Sequence, residues 1–189
     1  MAPRFALAAR KARELLNEGK VKTAPVPVKR LAVLVGAEVR YQPYAGDLSG
    51  AVHRGEGRAV IGVNSLHSAT RQRFTIAHEI GHLLLHKDEN LHIDERFPIG
   101  LRSNLSSLGV DAKEIEANQF AAELLMPVGL LFADLEGQQI DIENETAISQ
   151  IAKKYQVSSQ AMTIRIGELA RQTMRPSGLR VGRRMTRGR

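Results

Sequence analysis

The stretch His78-Glu79-Ile80-Gly81-His82 constrains the fold and the chemistry of this chain more than any other feature. Because residues four apart lie on one face of an α-helix, His78 and His82 can offer two imidazoles to a single ion. Glu79 sits about 100° around the same helix, where its carboxylate can reach a water without being a ligand. Two ligands, one base and an open coordination position are the arrangement of a zinc hydrolase. The alternative is a surface helix with solvated histidines.

The residues around this motif predict a helix over 70–86 with one apolar side. Helical i, i+3, i+4, i+7 spacing relates five of its small or apolar residues, namely Phe74, Ala77, Gly81, Leu84 and Leu85. Gly81 costs about 1 kcal/mol of helix propensity. This cost predicts that another element approaches the helix closely at Gly81.

A catalytic zinc site usually takes a third protein ligand. The chain contains no cysteine, which excludes thiolate ligands. His86 continues the four-residue spacing but lies about 12 Å from His78, too far to share its ion. We interpret His86 as a group that supports a ligand or the end of the helix. His92 follows a polar break in the sequence, and no pattern places it.

A second amphipathic helix, predicted over 112–126, carries the better candidates for the third ligand. Glu114 shares a face with Asn118, whose amide could orient one of the histidines. Glu116 points to nearly the opposite side, where it would be solvated. We therefore favour Glu114 as the ligand and keep Glu116 as the alternative.

The pattern around these helices predicts the other elements. Helices are expected over 4–18 and 28–35, a strand over 38–44, a hairpin of 49–53 with 58–64, and short helices over 128–170. A loop with at most a short strand pair is expected over 88–110. The strand at 59–64 could hold a substrate backbone by β-addition. The candidates for stabilising the oxyanion are His53, His67 and Tyr44.

Two long segments resemble the ImmA/IrrE family of metallo-endopeptidases. They are Arg73-Phe74-Thr75-Ile76-Ala77-His78-Glu79-Ile80-Gly81-His82-Leu83-Leu84-Leu85-His86 and the later segment Glu114-Ile115-Glu116-Ala117-Asn118-Gln119-Phe120-Ala121-Ala122-Glu123-Leu124-Leu125-Met126-Pro127. Shorter stretches at 27–32, 39–41 and 61–65 are similar to the family's opening helix, first strand and the strand that enters the active-site helix. The resemblance covers about residues 10–170.

The resemblance implies an α+β, gluzincin-like metallopeptidase with a small mixed sheet and active-site helices. One zinc ion, or another divalent ion, would be bound by His78, His82 and Glu114, and Glu79 would be the catalytic base. The implied function is an intracellular zinc endopeptidase that cleaves a helix-turn-helix transcriptional repressor. We divide the chain into a metallopeptidase domain at 1–130, a helix-turn-helix-like segment at 131–170 and an arginine-rich tail at 171–189.

Charge separates the tail from the rest of the chain. Residues 171–189 contain seven arginines and no acid, whereas residues 1–170 contain 20 basic and 20 acidic side chains. The tail has almost no apolar periodicity, which predicts disorder. Such a tail could attract nucleic acid weakly and without sequence preference, and the alternative is a solvated extension.

Composition also bears on the compartment. No apolar run approaches 18 residues, so no transmembrane helix or membrane partner is expected. The N-terminus is too charged for a signal peptide. Together with the absence of cysteine, these features predict a cytoplasmic protein.

Residues 148–162 resemble a helix-turn-helix, with Ser158 as N-cap of the second helix. That helix is expected to expose Gln160, Thr163 and Arg165. We favour packing against the peptidase domain and substrate docking over DNA contact. Two other functions stay open, a non-enzymatic DNA-binding regulator with a relic metal site and an antitoxin-like partner-binding protein. Glu79 argues for catalysis, because a purely structural metal site does not need a base.

Overall fold

The computed structural model describes residues 2–55, 57–88, 91–94, 112–136 and 144–173. Within these ranges the chain forms an α+β domain, as the sequence predicted. Its elements in chain order are α1 (Phe5–Glu18), α2 (Val28–Leu34), β1 (Ala37–Gln42), β2 (Gly50–Arg54), β3 (Ala59–Asn64), α3 (Ala69–Leu85), β4 (Leu91–Asp94), α4 (Ala112–Leu125), α5 (Val128–Leu135), α6 (Glu145–Tyr155) and α7 (Ser159–Thr173).

The four strands form one mixed sheet in the order β1-β3-β2-β4. β1 runs parallel to β3, and β2 runs antiparallel to both β3 and β4. β3 therefore has a hydrogen-bonded neighbour on each side. Because its backbone groups are already paired, the expectation that residues 59–64 bind a substrate by β-addition is wrong. Among the strands described, β1 and β4 form the edges of the sheet.

α3 lies at the centre of the domain, between α4 on one side and the sheet on the other. Ile76 and Ile80 of α3 and Phe120 and Leu124 of α4 are buried in the shared core. Burying a side chain of this size stabilises a fold by about 1.5–3 kcal/mol. These contacts hold the two helices that carry the predicted ligands.

α3 and α4 approach each other closely at Gly81. A Cβ atom added there would lie 3.2 Å from Ala117 Cα and 3.2 Å from Phe120 Cδ1. The prediction that another element comes close at Gly81 is confirmed, and that element is α4.

Side chains hold both ends of α3. Ser68 is the N-cap, and its hydroxyl accepts a hydrogen bond from the backbone N–H of Arg71 at 3.4 Å. At the other end, Arg54 Nη2 donates to the carbonyls of His82, Leu83 and His86 at 3.1, 2.8 and 3.3 Å. A cation is favourable at this end because the unpaired carbonyls of a helix C-terminus carry partial negative charge. The sheet thereby anchors the end of the helix that bears His82.

A short turn joins α6 to α7, and Ser158 caps the second of these helices as the sequence predicted. Ser158 Oγ accepts from the backbone N–H of Ala161 at 3.1 Å. Gln156 takes the left-handed backbone conformation that glycine often supplies, with φ 54°. Gln160 is exposed at the start of α7.

Arg165 is buried, which corrects the expectation that it is exposed on α7. Its Nε donates to the carbonyl of Met126 at 3.1 Å, and its Nη2 pairs with Glu123. These partners exist because α7 packs against the end of α4. The packing agrees with the favoured interpretation of this segment.

The predicted boundaries at the C-terminus shift slightly. α7 continues to Thr173, three residues into the tail that was expected to be disordered from 171. Residues 174–189, which carry the rest of the predicted tail, lie outside the described residues, as do 95–111. In the part of the chain that is described, no helix is long and apolar enough to span a membrane.

Candidate metal centre

α3 and α4 bring His78, His82 and Glu114 together. The Nε2 atoms of the two histidines are 3.0 Å apart. Glu114 Oε2 lies 3.3 Å from His78 Nε2, and its Oε1 lies 3.2 Å from His82 Nε2. The carboxylate thus faces both imidazoles at once, as expected for the favoured third ligand, and Glu116 lies elsewhere.

His92 joins this group, which no sequence pattern had indicated. Its Nε2 lies 3.2 Å from Glu114 Oε1, and its ring stacks on that of His82 with centroids 3.6 Å apart. β4 places it there, because His92 pairs across the strands with the buried Val52 of β2. Directly opposite residues share a face of the sheet, and this face is turned toward α3.

The four residues could hold a metal ion. One ligand atom from each of His78, His82, His92 and Glu114 lies within 4.8 Å of all the others. Nitrogen and carboxylate oxygen donors are the set that zinc takes in catalytic sites. The histidines on α3 form the buried wall, with side chains 1% and 2% exposed, whereas Glu114 is 26% and His92 16% exposed. The cluster therefore opens to solvent on the side of Glu114 and His92.

The hydrogen bonds behind the histidines orient their Nε2 lone pairs into the cluster. His78 Nδ1 donates to Asn118 Oδ1 at 3.0 Å, and His82 Nδ1 lies 3.1 Å from His86 Nδ1. The hydrogen on His78 Nδ1 leaves a neutral His78 with its lone pair on Nε2, and this atom lies 3.0 Å from His82 Nε2. Both Nε2 atoms could donate lone pairs to a single cation at this point. The residues present therefore fit a metal ion.

Burial keeps His82 in the state that binds metal. Desolvation lowers the pKa of His82 to about 3. The imidazole is then neutral at neutral pH, and a neutral imidazole is the metal-binding form.

Glu79 is buried on the same helix as the histidine pair, but it is not one of the four converging residues. Its carboxylate lies where α3 passes under β2. A Cβ atom added at Gly50 would lie 3.6 Å from Glu79 Oε1 and would collide with Thr75 Cγ2. The absence of a side chain at Gly50 thereby lets α3 pack closely against the sheet at Thr75.

His86, Glu116 and Arg4 form a second polar layer behind His82. His86 Nε2 lies 3.1 Å from Glu116 Oε2, in agreement with the interpretation of His86 as a supporting group. Glu116 is buried, which corrects the expectation that it is solvated. Arg4, at the start of α1, covers this face of α4 and donates to Glu116 Oε2 at 2.7 Å. The hydrogen bonds from Arg4 lower the pKa of Glu116 to about 2.

The structure does not bring the predicted oxyanion candidates into the cluster. His53 is exposed on β2, and His67 Nε2 lies 3.5 Å from Asn64 Nδ2. The Tyr44 hydroxyl sits against Gly62 of β3, 2.5 Å from where a Cβ would stand. His92 is the residue of the cluster that sequence reasoning left without a role.

A family model described as the IrrE N-terminal-like domain of the M78 peptidases matches residues 34–167. The chain belongs to this family. The match confirms the ImmA/IrrE resemblance and supports a peptidase. A search of the curated proteins finds no match.

Among solved structures, the chain is similar to a Mycobacterium tuberculosis transcriptional regulator, with a TM-score of 0.52 and 16% sequence identity. The similarity covers 82% of this chain and 44% of the regulator, so this chain spans less than half of that protein's length. At this level of identity the likeness shows a shared fold.

Proposed function

We propose that the chain is a zinc-dependent endopeptidase that cleaves a protein substrate in the cytoplasm. One observation carries the proposal: His78, His82 and Glu114 converge from two helices, and the helix that carries both histidines also buries the carboxylate of Glu79. A purely structural zinc site does not need a base on the helix that bears its ligands. The family membership supports the same conclusion.

A zinc ion held by His78, His82 and Glu114 would supply Lewis-acid polarisation of the scissile carbonyl and a reactive water near neutral pH. Glu79 takes a proton from the attacking water and delivers it to the leaving amine nitrogen. Glu79 follows His78 directly on α3, is buried, and has its Oε1 near Gly50 of β2. Asn118 and His86 hold the two imidazoles in the orientation that presents Nε2.

An extended substrate could pair with β4, which replaces β3 as the strand for β-addition. β4 is an edge of the described sheet and carries His92 on the face turned toward the cluster. Main-chain hydrogen bonds to an edge strand bind a peptide with little regard to its sequence. Such pairing would lay the scissile carbonyl close to His92 and Glu114, on the side where the cluster opens.

The substrate that we favour is a helix-turn-helix transcriptional repressor. The ImmA/IrrE resemblance supports this choice, and the solved structure with a similar fold is described as a transcriptional regulator.

The test is to incubate the purified protein with the product of an adjacent repressor gene, with and without a chelator. We expect zinc-dependent cleavage that the chelator abolishes. Glu79→Gln should retain one zinc per chain and lose cleavage by about 10²–10⁴-fold, because an amide cannot accept the proton. Glu14→Gln, at an exposed site on α1, is the matched control. Cleavage at the wild-type rate by Glu79→Gln would refute the mechanism.

The choice of ligand is tested separately by elemental analysis. His82→Ala and Glu114→Ala should both lose zinc. If Glu114→Ala retained zinc while Glu116→Ala lost it, the assignment of the third ligand would be wrong.

A second candidate function is DNA binding by α6–α7. The Ser158 cap and the exposed Gln160 favour it, whereas the burial of Arg165 removes one residue that was expected to contact DNA. A gel-shift assay with the DNA upstream of the chain's own gene tests this second function. Sequence-specific binding would support a DNA-binding protein.

A further inference from the structure

A continuous line of polar contacts runs from the start of α1 to the metal-facing side of α3. Arg4 donates to Glu116 Oε1 from its backbone N–H at 2.8 Å and from Nε at 3.0 Å. Its Nη2 donates to Glu116 Oε2 at 2.7 Å. The same Oε2 lies 3.1 Å from His86 Nε2, and His86 Nδ1 lies 3.1 Å from His82 Nδ1. His86, Glu116 and His82 are all buried.

The chemistry of these groups sets the direction of each hydrogen bond. Every atom that Arg4 offers is a donor, so the Glu116 carboxylate accepts. His86 Nε2 must then carry the hydrogen that points at Glu116. When the His86 imidazole is neutral, its other nitrogen is an acceptor, and His86 Nδ1 then accepts from His82 Nδ1. The His82 ring is left with its lone pair on Nε2, the atom that faces Glu114.

We propose that Arg4, Glu116 and His86 act as a relay that fixes the tautomer of His82 and so raises the affinity of the site for its metal. Arg4 is then a positioning residue, although it lies 112 positions before Glu116 in the chain. The proposal rests on the proposed function only in requiring a metal at the cluster.

The two histidine ligands differ in what supports them. His78 relies on Asn118 of α4, which shares that helix with the ligand Glu114. His82 relies on a relay that ends on α1. A simple ion pair between α1 and α4 would stabilise the fold without changing how tightly zinc binds. The relay predicts a change in metal affinity.

The test measures the zinc dissociation constant by competition with a chromogenic chelator, on the full-length protein. Loss of an outer partner of a metal-binding histidine typically weakens metal binding by about 10–100-fold. We expect the loss of zinc affinity in Glu116→Gln to fall in that range. The amide of glutamine can donate a hydrogen bond to His86 Nε2, which would reverse the direction of each hydrogen bond in the relay. Arg4→Ala should weaken binding about tenfold, and Arg4→Lys should weaken it less. Arg10→Ala is the control, since Arg10 is exposed on α1 and pairs with Glu14.

A second measurement reads the tautomer directly. Long-range ¹H–¹⁵N spectra of the metal-free protein should show His82 with its hydrogen on Nδ1, and Glu116→Gln should shift it toward Nε2. If the melting temperature of Glu116→Gln and Arg4→Lys falls while zinc affinity and tautomer stay as in the wild type, the contacts are structural and the relay is refuted.

The two proposals fail in different ways. If zinc affinity falls as expected but the wild type cleaves no protein, the relay stands and the peptidase function fails. If the wild type cleaves its substrate, and Glu116→Gln and Arg4→Ala bind zinc as tightly as the wild type, the relay fails and the peptidase function stands. If the wild type binds no zinc, the relay is refuted together with the metal centre.

Discussion

Replacing Gly81 with alanine tests how firmly α3 and α4 are held together at the metal centre. The new Cβ would lie 3.2 Å from Ala117 Cα, 3.2 Å from Phe120 Cδ1 and 3.3 Å from the Ala117 carbonyl oxygen. Two of these atoms belong to the backbone of α4. Relief therefore requires α4 to move by a few tenths of an ångström, and Glu114 moves with it.

Two opposing terms decide the change in stability. Alanine recovers about 1 kcal/mol of helix propensity, while overpacking of a well-packed core costs about 1–3 kcal/mol. We expect Gly81→Ala to lower the free energy of unfolding by about 0–2 kcal/mol. Gly167→Ala is the matched control in α7, where the new Cβ meets the end of the flexible Arg171 side chain at 3.8 Å. The control should gain the propensity without the overpacking.

Chemical denaturation of the metal-free variants measures both effects. The free energies of unfolding of the two variants should differ by about 1–3 kcal/mol, the overpacking term itself. Zinc affinity should fall in Gly81→Ala and stay unchanged in Gly167→Ala, because only the first displaces Glu114 from the histidines. If Gly81→Ala is stabilised as much as Gly167→Ala, α4 can shift away from the new Cβ without a cost in free energy, and the reasoning is refuted.

Three further predictions concern other parts of the chain. His92→Ala should retain zinc, since the proposed ligands are His78, His82 and Glu114. Loss of zinc in elemental analysis would instead make His92 a ligand. If His92 stabilises the oxyanion, the variant should also lose about 10²–10³-fold in the rate of cleavage. Arg54→Ala should lower the free energy of unfolding by about 1–2 kcal/mol, because the hydrogen bonds from the Arg54 guanidinium to the last carbonyls of α3 are charge-assisted. An unchanged midpoint of chemical denaturation would contradict this prediction. Deleting residues 174–189, which removes six arginines, should abolish salt-sensitive DNA binding in gel shifts and leave cleavage intact; sequence-specific binding by the truncated chain would assign DNA recognition to α6–α7.

The local part of the candidate site was open to prediction from sequence. Helical periodicity places His78 and His82 on one face of α3, because that spacing depends only on the turn of the helix. The same periodicity separates Glu114 from Glu116 on α4, and it explains why Glu114 faces the histidines. Gly81 pointed to a close contact for an equally local reason, since a glycine within a helix has a cost that some neighbour must offset.

The alternation of apolar and polar residues could not predict which strands pair with each other. Alternation identified residues 59–64 as a strand, but it could not say that β1 and β2 would occupy both of its edges. The position of His92 depends on the same pairing, because only the register of β4 against β2 turns that side chain toward α3. Register is set by contacts between segments far apart in the chain, which a local pattern does not record.

Burial of charged side chains also depended on the tertiary structure. Glu116 and Arg165 both occupy helix positions whose polar character predicts solvent exposure, yet both are buried. Each is accommodated by a partner from a distant segment, Arg4 for Glu116 and Glu123 for Arg165. A charge leaves water only where a compensating group is already in place. The sequence alone therefore determined which residues could bind a metal, while the folded chain decided which charges would surround and orient them.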